Sequence, residues 1–164
     1  VSIGPGSFTG LRVGVVFAKT LAWTVGCPLV AVETLAVVAA TPRCDVDDLL
    51  VIADAGRDEL YFGRYRRTGN NDWSRTGTIT IEPADDWCRA RTASEVVVGT
   101  ELGQIADRLP AECRMIDPGP EQPRAEAVAR LGLARLQRGE ADDPASLEPL
   151  YVRRSAAEEK RSSK

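Results

Sequence analysis

Eleven residues near the start of the chain, Gly4-Pro5-Gly6-Ser7-Phe8-Thr9-Gly10-Leu11-Arg12-Val13-Gly14, constrain the fold more than any other stretch. Their glycines and proline crowd a tight turn, and an apolar pattern with helical spacing follows at once. Leu11, Val15, Ala18, Ala22 and Val25 recur at i, i+4, i+7, i+11 and i+14. Val13, Val16, Phe17 and Leu21 cover much of the other side, and only Arg12 and Lys19, one heptad apart, mark a polar edge. The spacing predicts a helix from Gly10 to about Val25, capped by Ser7 or Thr9 and ended by Gly26 and Pro28. A helix apolar nearly all round is deeply buried or an interface.

Val1-Ser2-Ile3 reads as the end of a strand entering this loop. The loop has two readings. Helix N-termini attract anions, and Gly6 and Gly10 for close backbone approach, Ser7 or Thr9 as donors and Arg12 as a nearby cation would suit one. A structural strand-to-helix turn would need only Gly4, Gly6 and Gly10. Leu11 and Arg12 stand where a Walker A loop needs Lys and Ser or Thr, and the spacing of Gly4, Gly6 and Gly10 exceeds the Rossmann fingerprint by one residue.

The chain has 164 residues, 43% of them hydrophobic but only 5% aromatic, so its core must be aliphatic. A net charge of −3 argues against tight RNA binding by the chain alone. Cys27, Cys44, Cys88 and Cys113 are far apart in sequence, which makes no metal or redox pair and predicts reduced, mostly buried thiols. With no histidine, the commonest general base, the commonest zinc ligand and any Ser/His/Asp triad are missing. No apolar run is long enough to span a bilayer, and a cytoplasmic protein is expected.

Further along, Leu29 to Val32 predicts a short strand and Glu33 to Ala40 a helix stopped by Thr41-Pro42. The polar segment from Arg43 to Asp48 separates two units. Leu49 to Ala53 is a continuous apolar run, which fits a buried strand. Leu60 to Arg66 alternates and makes its antiparallel partner. Thr76 to Ile81 predicts another strand, Pro83 to Arg89 a helix, Val96 to Gly99 a strand, Leu102 to Leu109 a helix and Arg114 to Ile116 a strand. Arg124 to Arg138 predicts an amphipathic helix with Ala127, Val128, Leu131 and Ala134 on one stripe. The segment from Glu148 to Arg153 reads as extended, followed by a charged tail. The class is mixed α/β.

The glycine segment, with Ala18-Lys19 and Leu21-Ala22 behind it, resembles the bacterial TsaB (YeaZ) family. Two further stretches support the resemblance. Asp54-Ala55-Gly56-Arg57-Asp58-Glu59-Leu60-Tyr61 is similar to that family's D-A-R-x-x-E-V-Y, with Gly56 in place of Arg. Taken alone, Asp54, Glu59 and Tyr61 fit a turn between strands, with Asp54 and Asp58 bonding backbone; paired carboxylates also suit acid/base work, but no nucleophile stands nearby. Pro149-Leu150-Tyr151-Val152-Arg153, with Ala156 and Lys160, is similar to a terminal P-x-Y-L-R. It reads as a surface strand packing Tyr151 on the body, or as the start of a basic tip formed by Arg153, Arg154, Lys160 and Arg161.

The resemblance implies an actin-like ATPase (ribonuclease-H-like) α/β fold of two tandem units, the first incomplete. Residues 1–42 would be a remnant of the first unit, 49–139 the second, and 140–164 an extended segment and tail. The family opens with a strand carrying Asp-Thr-Ser, a hairpin, a long helix and another strand, whereas the motif here begins at Gly4. A chain without that front is expected to leave one side of the first helix uncovered, and to self-associate through it or dissolve poorly.

The resemblance further implies the non-catalytic scaffold of the complex that transfers a threonylcarbamoyl group to N6 of adenosine 37 in tRNA. The catalytic paralogue, TsaD, carries a metal-binding H-x-x-x-H; in the matching stretch, Val32 to Val38, the ligand positions hold Thr34 and Val38. Catalytic and metal residues are therefore expected to be absent. The implied partners are TsaD, contacted through Leu11, Arg12, Val15, Ala18, Lys19 and Ala22, the associated ATPase TsaE, a second copy of the chain, and tRNA only through the complex. ATP or ADP would belong to the seam of the complex. Two other readings remain open at this point: a nucleotide-binding, sugar-kinase-like enzyme, and a homodimeric interaction module without a tRNA link.

Overall fold

The computed structural model of the chain describes residues 1–40, 44–69, 72–100, 102–118 and 124–153. It divides into two compact units. One joins Val1–Thr34 to the chain from Val128 onward, and the other is the continuous stretch Leu35–Ala127.

In the first unit, strand β1 (Ser2–Gly4) runs into helix α1 (Phe8–Val25), and the chain returns as strand β2 (Val32–Glu33), parallel to β1. Gly26 in the left-handed conformation ends α1, its N–H bonded to the carbonyl of Ala22. Leu29, Val30, Ala31 and Val32 are all buried. The C-terminal part of helix α5 (Arg124–Gln137) belongs here, and a Cβ at Gly132 would stand 3.8 Å from a Val32 methyl and 3.9 Å from Val30 Cβ. Helix α5 is followed by Gly139, with φ +78°, and the Glu140 N–H reaches the Arg135 carbonyl.

The second unit is a sheet in the order β5-β4-β3-β7-β8. Strands β3 (Asp48–Gly56), β4 (Glu59–Gly69) and β5 (Asp72–Arg75) form an antiparallel meander, and β7 (Val96–Gly99) and β8 (Arg114–Ile116) run parallel to β3. Leu49, Leu50, Val51 and Ile52 are buried in succession, which is why this strand reads as an unbroken apolar run. Leu50, Ile52, Leu60 and Val97 pack with helices α3 (Ala84–Arg89) and α4 (Leu102–Ile105) around the fully buried Trp87. Arg91, with a nearly buried side chain, lies 4.6 Å from the Trp87 ring and donates to the Trp87 carbonyl and to Glu95. Helix α2 (Thr34–Ala39) buries Leu35, Val37 and Val38.

Three expectations change. The strand expected over Thr76 to Ile81 begins only at Thr80, as β6 (Thr80–Pro83), because Gly77 at φ +95° breaks the line after β5; β5 and β6 both pair with β4. The helix expected over Leu102 to Leu109 tightens after α4 into a 3-10 turn at Ala106–Arg108. The units are not the tandem 1–42 and 49–139: residues from Leu35 fold with the second, and residues from Val128 return to the first, where Asp142 accepts from the Ala31 N–H. The expected stop at Thr41-Pro42 and the tail from Arg154 onward lie outside the described residues.

All four cysteines are free, but only Cys88 and Cys113 are buried, and Cys27 is exposed beyond the end of α1. Burial pushes the Cys88 and Cys113 thiols above their ordinary value. Titration with a disulfide reagent under native conditions is expected to give a fast phase from Cys27, removed by Cys27→Ser. Cys88 and Cys113 should react about 100-fold more slowly, through opening of the second unit.

Candidate functional site

Two of the three sequence motifs meet in the first unit. Ser7 is the N-cap of α1: its Oγ accepts from the Gly10 N–H at 3.3 Å, and its carbonyl from the Leu11 N–H at 2.8 Å. The N–H groups of Phe8 and Thr9 have no acceptor among the described residues, as expected of a first helical turn. Gly4, at φ +111°, is enclosed, whereas a Cβ at Gly6 would meet nothing within 4 Å. Gly6, Ser7, Thr9 and Gly10 are exposed.

Arg12 does not point to the loop as a free cation. Its Nε donates to the Tyr151 hydroxyl at 2.9 Å, and its guanidinium lies 4.3 Å from the Phe8 ring centre. Phe8 and Tyr151 stack with centroids 5.0 Å apart. Lys19, one heptad on, donates from Nζ to the carbonyls of Leu147 at 2.9 Å and Ala145 at 3.4 Å. The Leu150 N–H reaches the Ile3 carbonyl at 2.7 Å. Residues 142–151 thus form a strap along β1 and one edge of α1. Tyr151 packs on the body, as one reading of the C-terminal motif had it; Pro149 and Arg153 are half-buried beside it.

The strap is turned by Asp143, whose carboxylate accepts from the Ala145 N–H and the Ser146 hydroxyl, each at 2.9 Å. The Ala145 N–H, then the Ser146 hydroxyl, hold this carboxyl below its ordinary value, with Lys19 adding attraction. A depressed folded-state pKa contributes stability that is present above the unfolded value of about 3.9 and is lost as pH falls through the folded value. Melting temperatures between pH 5 and pH 2 are expected to drop on the acid side, and Asp143→Asn to flatten that drop.

The buried stripe of α1 is Val15, 1% exposed, and Ala22, with Leu11 and Ala18 half-buried. Of the six residues expected to meet a partner, Val15 and Ala22 are buried inside the unit, Leu11, Ala18 and Lys19 are half-buried and Arg12 is exposed, and the two cations hold the strap. The outward face is the other set, Val13, Val16, Phe17 (68% exposed) and Leu21, with Trp23 beside it. A shallow apolar groove follows Arg12, Val13, Val16, Phe17 and Thr20. Thr20 and Thr24 turn their hydroxyls back to the carbonyls of Val16 and Thr20, which keeps this face apolar.

The middle motif is the hairpin between β3 and β4. Asp54 accepts from the Gly56 N–H at 2.7 Å, and Gly56, Arg57 and Asp58 all take positive φ. Asp58 does not use its carboxylate on backbone, as expected, but on Arg108 at 2.8 Å, which also reaches Asp85 at 3.2 Å. Tyr61 is buried opposite Ala53 and Ile81, and Glu59 lies opposite Pro83. Among the described residues, no cluster of three or more His, Cys, Asp or Glu could hold a metal ion.

Residues 1–86, just over half of the chain, match the family model for TsaD, tRNA N6-adenosine threonylcarbamoyltransferase. The chain is 29% identical over 165 residues to the tRNA threonylcarbamoyladenosine biosynthesis protein TsaB of Escherichia coli, covering 94% of this chain and 69% of that protein. It is 46% identical over 66 residues to the Bacillus subtilis TsaB, where the match spans 40% of this chain and 29% of the relative. The solved structure of YeaZ from Pseudomonas aeruginosa superposes with a TM-score of 0.73 at 25% identity, over 92% of this chain and 71% of the other. The chain belongs to the TsaB (YeaZ) family. Its fold is the actin-like, ribonuclease-H-like α/β fold of that family.

Within a TsaB-type chain, two site features are new to the sequence reading. Thr34 bonds Ser2 Oγ at 3.0 Å, and Val38 is buried. Phe8 completes the Arg12–Tyr151 cluster; its place inside the TsaB signature, four residues before Arg12, was the available signal.

Proposed function

We propose that this chain is a non-catalytic scaffold subunit of a tRNA-modifying complex, pairing through α1 with a TsaD-type catalytic subunit that transfers the threonylcarbamoyl group to N6 of adenosine 37. The observation that carries the pairing is the outward apolar face of α1, with Val13, Val16, Phe17 and Leu21 exposed together. Surfaces of this kind are interaction sites in soluble proteins. Thr34 and Val38 at the paralogue's ligand positions support a non-catalytic role, since neither side chain binds a transition metal as imidazole does. In this reading TsaE and tRNA join through the complex, ATP or ADP sits at its seam, and the complex is cytoplasmic; no described helix is long and apolar enough to cross a membrane.

The test is co-expression with the catalytic paralogue of the same organism. Co-purification of the two chains is expected, and its failure in a chain shown to be folded would overturn the reading. A second reading follows from the open first turn of α1: the glycine loop itself contacts a nucleotide phosphate. Thermal stabilisation by ATP, lost in Ser7→Ala, would support it.

A further inference from the structure

Helix α1 is held unevenly. Val15 and Ala22 bury one stripe, Leu11, Gly14, Ala18 and Lys19 are half-buried beside it, and the other residues of the helix are exposed. Between the buried stripe and the open face runs a single edge, at Phe8, Arg12 and Lys19, four and then seven residues apart. Every one of these three side chains contacts the strap. Phe8 stacks on Tyr151, Arg12 bonds the Tyr151 hydroxyl, and Lys19 bonds the carbonyls of Ala145 and Leu147. The strap is itself fixed at both ends. Asp142 accepts from the Ala31 N–H at 2.7 Å and from Arg135 at 3.2 Å, and Leu150 is hydrogen-bonded to Ile3.

A buried stripe of small and β-branched residues resists sliding poorly, because Val, Ala and Gly offer few interlocking atoms. Directional bonds on one flank resist rotation about the helix axis. We propose that residues 142–151 are a clamp that fixes the rotation of α1, with Arg12, Lys19 and Tyr151 as positioning residues, so that Val13, Val16 and Phe17 are presented outward. The presentation to a partner rests on the proposed function; the clamp itself does not.

Hydrogen exchange of the full chain tests it. The variant Arg12→Ala/Lys19→Met/Tyr151→Ala replaces both helical positions with strong helix formers, so intrinsic helicity is kept. Amides of residues 12–25 are expected to exchange about tenfold faster, while those of residues 131–137 in α5 keep their protection. Tyr151→Phe, which keeps the ring and loses the hydroxyl, should give a smaller acceleration. Unchanged exchange in α1 would overturn the clamp. Equal loss across α5 would also overturn it, by making the strap a general element of the unit's stability.

Capture of the catalytic paralogue is measured on the same proteins. A loosened α1 with reduced capture supports the proposal, and a loosened α1 with full capture overturns the presentation to a partner. If the wild-type chain captures nothing, the proposed function fails, while exchange still decides the clamp.

Discussion

Val13→Asp/Phe17→Asp is expected to abolish co-purification with the catalytic paralogue while leaving the melting temperature nearly unchanged. Both side chains are exposed on one turn of the outward face of α1, so folding gains little from them. Exposed substitutions away from special features change stability by about 0.5 kcal/mol or less. Two carboxylates at the centre of an apolar contact would lose their hydration, and truncating a central anchor alone can cost roughly 2–4 kcal/mol. Affinity should fall at least about 100-fold. Any self-association of the free chain should fall with it, measured by light scattering. Val15→Ala is the opposite case. It removes buried methyl groups, at about 2 kcal/mol of stability, and should leave pairing intact in whatever fraction is folded. A double-Asp variant that still pairs would move the docking surface elsewhere.

The second large effect is expected at Gly4. Its φ of +111° is one that side chains rarely adopt, and a Cβ there would stand 2.8 Å from a Leu11 methyl and 2.9 Å from the Leu150 carbonyl oxygen. Leu11 can turn aside, but the carbonyl belongs to the strap backbone and cannot move without breaking the bond from Leu150 to Ile3. Gly4→Ala is therefore expected to cost about 3 kcal/mol, from backbone strain and crowding together. Denaturant unfolding followed by exchange in both units should show the first unit opening early and the second unaltered. Gly6→Ala, two residues on and free of any such contact, should change stability by less than about 0.5 kcal/mol. Equal effects at the two glycines would mean that the loop is not shaped by the strap.

The difference between these glycines shows where sequence reasoning reached and where it stopped. Tightness of the turn, the Ser7 cap and the stop at Gly26 are local matters of backbone chemistry, and all were legible. So was β3, because burial on both faces leaves an unbroken apolar run. The break at Gly77 was missed, since alternation continues on either side of it and the second strand simply changes its position along β4. At the candidate site, periodicity found two apolar stripes on α1 but not which faced inward. That choice depends on where β1 and the strap lie, and contacts separated by more than 120 residues, such as Lys19 to Leu147, leave no local trace. Arg12 and Lys19 were rightly singled out as an edge, yet their bonds go to the chain's own carbonyls and tyrosine.

The first unit is discontinuous, and this shapes how the chain is made. Residues 35–127 are contiguous and can fold as soon as they are synthesised, whereas α1 must wait for residues 142–151 before its flank is closed. Until residues 142–151 are synthesised an apolar helix therefore exists without its final contacts, in a region whose closure is a long-range, slow event. A nascent chain of this design offers a binding site to chaperones until residues 142–151 are made, and loss of those residues would harm a helix that lies more than 100 residues before them.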